Sequence, residues 1–220
     1  MLERIIGIWS KYSHVFLDGL WGTLWISAVT ILFGTVLGLF IMLMRTSKIA
    51  PLRWITGIYI EVIRGTPILL QLYFFWLWLP NAIGLDLTNT QCVVVALIVN
   101  ASAYVAEVIR AGIEAVDYGQ TEAAKSLGMS DFNMMTRIIM PQAIKNILPA
   151  LCNEFIVMIK ESSLASVFFV GELTTAFKTV QSSTFQAIPP LVISGIIYLV
   201  VTTVLSKASK LIERRLKASD

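Results

Sequence analysis

Residues 121–141 read TEAAKSLGMSDFNMMTRIIMP, a polar stretch between the third and fourth apolar runs of the chain. Asp117 with Gln120 just upstream resembles a capping box, which predicts a helix start near Tyr118. Glu122, Ala123, Ala124 and Leu127 follow on that helix, and Gly128 stands where a left-handed C-cap ends one. Ser130 caps a second helix from Asp131, with Phe132, Met135, Ile138 and Ile139 as its apolar stripe and a stop before Pro141. A short helix with an alanine face lets another backbone approach closely, so the stretch reads as a docking surface. The same spacing also fits an ordinary helical loop packed on its own bundle.

The rest of the chain sets this stretch in a membrane. Of 220 residues, 56% are hydrophobic and 14% charged, and the mean hydropathy is +0.77, too apolar for an ordinary soluble domain. A net charge of +3 gives no sign of nucleic-acid binding. Cys92 and Cys152 sit apart in apolar segments, without metal-ligand or redox spacing. The N-terminus lacks the basic region, short apolar core and small-residue cleavage site of a removable signal. Leu2, Ile5, Ile6, Ile8, Trp9, Tyr12 and Phe16 instead form a rough helical stripe beside Arg4 and Lys11, which predicts a separate interfacial helix over residues 1–19.

Five segments approach the roughly twenty apolar residues that a span needs: Leu20–Met44, Trp54–Leu79, Thr90–Ile109, Ile147–Val170 and Pro190–Leu205. The expected fold is therefore all-α and polytopic, with a membrane domain over 20–213, an intervening loop at 111–146 and a tail at 214–220. Lysines and arginines divide twelve to three between the two sides of such a bundle. Arg45, Lys48, Arg53, Arg110, Lys125, Arg137, Lys145 and the tail cations lie on one side; Arg4, Lys11 and Lys178 lie on the other. The positive-inside rule then places the N-terminus outside, and the long loop and C-terminus in the cytoplasm. Trp21, Trp25, Trp76 and Trp78 fall near the outer ends of their spans. Gly34 and Gly38 form a small-xxx-small pair in the first.

Two spans carry polar flaws. Arg64-Gly65-Thr66-Pro67 interrupts the second, since Pro67 cannot donate to the carbonyl four residues back, and a broken or kinked helix results. Irregular backbone at membrane depth is tolerated where protein or a water-filled cavity surrounds it; a kink made only for packing is the alternative. The fourth span holds Glu154, Lys160 and Glu161, each costing about 3 kcal/mol at the bilayer centre. Glu154 and Glu161 share one helix face, with Asn153 and Lys160 on the adjacent one. Asn100, Tyr104 and Glu107 line a face of the third span, so the polar faces can meet around a hydrated cavity. An internal Glu–Lys pair that only fixes register is the competing reading.

Glu122-Ala123-Ala124, Gly128, Ile138 and Pro141 resemble the EAA-x3-G-x9-I-x-L-P signature of permease subunits of bacterial ABC importers, with Met140 in the leucine position. Arg64-Gly65-Thr66-Pro67, the run from Asn100 to Glu107, Arg110-Ala111-Gly112-Ile113 and Pro141-Gln142-Ala143 are similar to the polar amino-acid branch, the histidine, glutamine and arginine type. The resemblance runs from about Leu20 to Glu213-Arg214-Arg215.

That resemblance implies the ABC type I importer permease fold in a bacterial cytoplasmic membrane. It implies a second copy or a sister permease, two ATPase subunits below and an extracytoplasmic substrate-binding protein above. The chain has no G-x-x-x-x-G-K-[ST] phosphate loop, so ATP and its Mg belong to the partner ATPase, and neither catalysis nor a cofactor is expected here. Glu122, Ala123, Ala124, Gly128 and Pro141 become the residues of a coupling helix. A polar amino acid needs an acceptor and a donor: Glu154 is the best acceptor, while Arg64, Asn100 and the backbone at Gly65 and Thr66 are candidates for the carboxylate. Lys160, Glu161 and Ser163 lie further along the implied route. The acid at 154 favours a cationic substrate. The rival class is an ion- or proton-coupled transporter or channel relaying through Glu107, Glu154 and Glu161.

Overall fold

The computed structural model describes residues 1–217. Nothing breaks the first helix: α1 runs from Leu2 to Arg45, about 66 Å at 1.5 Å per residue. Residues 1–19 are therefore the opening turns of α1 and not a separate element. Their stripe is only partly a lipid face, because Ile8 and Phe16 are buried against Leu173, Ala176, Val180 and Ile193. Sequence periodicity cannot show that these later helices return to cover it.

The next limb is broken as expected. Helix α2 (Ala50–Gly65) and helix α3 (Ile68–Ile83) meet at 110°, with Thr66 and Pro67 extended between them. Helix α4 (Asn89–Glu114) opens on a capping box in which Thr88 and Gln91 serve one another. It packs against α1 along a seam of small residues. A Cβ added to Gly34 would stand 2.8 Å from Ala101 Cβ, and one on Gly38 2.8 Å from the Ser102 carbonyl. The small-xxx-small pair is thus used for helix approach within the chain.

The insert holds two short helices, α5 (Tyr118–Ser126) and α6 (Asp131–Met134), after which helix α7 (Met140–Glu161) returns and passes into a 3₁₀ segment, Ser162–Phe168. Helix α8 (Leu173–Thr184) lies against α1, and α9 (Ile188–Lys217) closes the bundle. Residues 214–217 of the expected tail simply continue α9, and residues 218–220 lie outside the described part. Glu172 is fully buried at the N-terminus of α8. It accepts hydrogen bonds from Thr174 N (2.7 Å), Thr175 N (2.6 Å) and the Tyr198 hydroxyl (3.0 Å), tying α8 to α9.

Of the five expected spans, three are met by single helices long and apolar enough to cross a membrane: α1, α4 and α9. The second is met if α2 and α3 count as one bent span. The expected fourth, Ile147–Val170, is divided between α7 and the 3₁₀ segment and does not qualify by length and apolarity. Its polar residues are the reason, and two of them line a cavity inside the bundle.

Candidate functional site

Gly65 ends α2 and Pro67 cannot donate, so the carbonyls of the last α2 turn need other partners. Thr66 supplies one, its hydroxyl donating to the Val62 carbonyl at 2.8 Å. Gln71, one turn into α3, supplies one for Ile63. Its Nε2 shares two hydrogens among three acceptors, the Ile63 carbonyl (2.7 Å), the Thr66 carbonyl (3.1 Å) and Thr66 Oγ1 (2.8 Å). Its Oε1 accepts from Asn100 Nδ2 at 2.9 Å. Tyr59 adds a second tie from α2 to α4, donating to the Val99 carbonyl at 2.9 Å.

Beside this break lies a cavity of about 360 Å³, lined by Thr66, Pro67 and Ile68 at the α2–α3 junction, Asn100 and Tyr104 on α4, and Glu154, Val157, Met158 and Glu161 on α7. The polar faces of α4 and α7 do meet around a cavity, and seven-residue spacing does put both glutamates on one wall. Thr66, Asn100 and Glu154 from the predicted set are brought together. Gly65 stands just behind Thr66. Lys160 is exposed and, with Ser163, is not among the lining residues. No ion pair joins Lys160 to either glutamate among the described residues, so the register-fixing pair is not formed.

Arg64 and Glu107 belong to a neighbouring cluster. Arg64 Nη1 lies 3.4 Å from Glu107 Oε2, Arg45 Nε 3.7 Å from Oε1, and Arg110 Nη2 2.9 Å from Oε2. Arg110 also holds Glu114 at 2.6 Å. One carboxylate thus gathers the ends of α1 and α2 onto α4. Arg64 still borders the cavity, its guanidinium 5.4 Å from the centre of the Tyr104 ring. Glu107 does not line the cavity that holds Glu154 and Glu161, so the three carboxylates share no single chamber.

In the insert, α5 (Tyr118–Ser126) starts where expected, but without the capping box: the Asp117 side chain accepts from Gly119 N, and Gln120 N donates to the Asp117 main-chain carbonyl. Its end is a Schellman motif: Gly128 N donates to the Lys125 carbonyl at 2.9 Å and Met129 N to the Ala124 carbonyl at 3.1 Å, with Gly128 at φ +74°. Ser130 caps α6 (Asp131–Met134). Pro141 does not end the helical path, contrary to the expectation. Met135–Ile139 form a π-helical turn that runs directly into α7, where Pro141 occupies the first turn, a position that needs no N–H.

The expected apolar stripe is also redistributed. Ala124, Met134 and Ile139 form a small core, whereas Phe132 is 75% and Leu127 82% exposed. Glu122, Ala123 and Pro141 are exposed as well. The insert is therefore both a packed loop and a surface, one alanine of the pair facing inward and the other outward.

Sequence reasoning misses two residues. Gln71 is a lone amide in the apolar run of α3, one turn beyond Pro67, and that spacing is its only signal. Glu172 precedes Thr174 and Thr175 in the manner of a helix N-cap, a signal that periodicity alone does not weigh.

The family model described as "Binding-protein-dependent transport system inner membrane component" matches residues 34–218. The arginine transport system permease protein ArtQ of Bacillus subtilis (strain 168) is 41% identical over 204 residues, 93% of each chain. A putative glutamine transport system permease protein, GlnP of Rickettsia bellii (strain RML369-C), is 37% identical over 219 residues, spanning both chains in full. A crystal structure of an amino acid ABC transporter with histidines superposes with a TM-score of 0.90 at 48% identity, covering 94% of this chain and 96% of that one.

Proposed function

From the premise that this chain belongs to the binding-protein-dependent transport inner membrane component family, as a permease subunit of an amino-acid ABC transporter, we propose that it carries a cationic amino acid into the cytoplasm, driven by separate ATPase subunits. The observation that carries the substrate class is the cavity itself, whose wall holds two carboxylates, Glu154 and Glu161, opposite the broken α2–α3 junction. Glu154 takes the ammonium or the cationic side chain. The carboxylate goes to the other wall, where Thr66 and the opening turn of α3 present the positive end of a helix dipole, with Arg64 at the margin. Relatives named for arginine and for glutamine transport fit a site whose charge balance decides between a cationic and a neutral side chain. Lys160 and Ser163 stand off this cavity and take no direct part in this conformation.

The end of the bundle carrying Arg45, Arg110 and the insert is cytoplasmic by the positive-inside rule; α1 then begins outside. In this arrangement the chain crosses five times, two of the limbs being the broken α2–α3 pair and the α7–3₁₀ run. Glu122, Ala123, Leu127 and Phe132 face the ATPase dimer, and Ala124, Gly128 and Pro141 hold their shape. ATP and Mg bind in the ATPase, an extracytoplasmic binding protein delivers substrate, and a second permease, identical or related, completes the pore. Radiolabelled arginine should bind the purified permease–ATPase complex without its binding protein, lose affinity in Glu154→Gln, and be displaced poorly by glutamine. Equal displacement by both would remove the cationic assignment.

A further inference from the structure

The cavity's two walls, Thr66 on one side and Asn100 on the other, are joined behind the lining by a side chain that does not itself face the cavity. Gln71 and Asn100 are both buried, at 7% and 4% exposure. The hydrogen bonds between them run in one direction. Asn100 donates to Gln71 Oε1, and Gln71 Nε2 donates in turn to Ile63 O, Thr66 O and Thr66 Oγ1. The Thr66 hydroxyl is spent on Val62 O, which leaves it to accept from Gln71. Every acceptor on the α2 side is a carbonyl or an already donating hydroxyl, so only a donor at position 71 satisfies them. A glutamate of the same shape cannot.

We propose that Gln71 and Asn100 form a positioning latch that replaces the main-chain hydrogen bonds lost at Pro67 and fixes the Thr66 wall relative to the α4 wall, and so sets how tightly the cavity holds its amino acid. Gln71 acts through Thr66 and Asn100, whose spacing it determines. The consequence for affinity rests on the proposed transport of a cationic amino acid; the consequence for the backbone does not.

Two readouts on the intact permease–ATPase complex in nanodiscs separate these. The first is the dissociation constant for radiolabelled arginine, and the second is deuterium uptake across residues 62–70. Gln71→Glu should weaken arginine about tenfold, as expected for lost buried hydrogen bonds, and raise uptake across the break. Gln71→Asn and Asn100→Gln each alter the reach by one methylene and should do the same. The double swap, Gln71→Asn with Asn100→Gln, restores only the reach between positions 71 and 100; the shortened amide still falls short of Ile63 and Thr66, so arginine affinity should recover in part while uptake across the break stays raised. Parent-like uptake in Gln71→Glu or in Gln71→Asn overturns the latch. If the parent binds no arginine, the substrate reading fails, while uptake still decides whether the latch exists.

Discussion

Arg64 Nη1 stands 3.4 Å from Glu107 Oε2, so the arginine at the helix break is drawn out of the cavity and onto a carboxylate that two other arginines share. The bend at Pro67 therefore connects in two directions. Through Thr66 it reaches the cavity, and through Arg64 it reaches the end of α4 that leads into the insert. Arg110 carries the second connection on to Glu114, the last residue of α4, three positions before the cap of α5.

Glu107→Gln should lower stability by about 1–3 kcal/mol, because it removes the carboxylate shared by Arg45, Arg64 and Arg110, of which Arg110 alone keeps a second one in Glu114, with some discount for solvent screening. Arg64→Ala should cost less, since Arg45 and Arg110 remain on the carboxylate. Thermal unfolding in detergent gives the comparison, and equal midpoints for the two variants would contradict the shared-anion account.

Gly128 has open space around the position of an added Cβ, so its requirement lies in the backbone at φ +74°. Gly128→Ala should therefore cost about 1 kcal/mol locally, with faster amide exchange across α5. Gly128→Asn should cost less, because asparagine tolerates the left-handed region better. An alanine variant exchanging like the parent would show that the Schellman cap is dispensable.

Phe132 and Met134 offer a clean division between surface and core. Phe132→Ala should leave the unfolding midpoint of the isolated permease unchanged while reducing co-purification with the ATPase subunit. Met134→Ala, at a buried position, should instead destabilise the small core by about 2–4 kcal/mol. Full ATPase recruitment by the Phe132 variant would move the docking surface elsewhere on the insert.

At Gly22 an added Cβ would run into the Gly171 carbonyl, whereas Gly7 has nothing within 4 Å. Gly22→Ala should cost about 1–3 kcal/mol by forcing α1 away from the start of α8. Gly7→Ala should be neutral or stabilising by up to about 1 kcal/mol through helix propensity. The two melting curves test whether the long α1 is held by this close approach.

Much of this is legible in the sequence because it depends on local chemistry. A proline that lacks its N–H marks the break at Arg64–Pro67, a glycine after a periodic run marks the end of α5, and acids seven apart must share a helix face. The hidden features depend on tertiary neighbours. The continuity of α1 needs α8 and α9 to cover Ile8 and Phe16. The π turn at Met135–Ile139 lets Pro141 enter a helix where a simple rule ends one. Phe132 and Met134 sit two residues apart with opposite fates, which only the fold of the insert decides. Gln71 looks like an odd amide in an apolar helix because its partners lie on two other elements, the end of α2 and the middle of α4.

The most direct test is the ATPase activity of the permease–ATPase complex in liposomes, supplied with its binding protein and a panel of arginine, lysine, histidine, glutamine and glutamate. Stimulation by the cationic members, abolished in Glu154→Gln while the complex stays assembled, is the predicted result. Stimulation by glutamine or glutamate alone, or an unchanged response in Glu154→Gln, would contradict the assignment of the cavity.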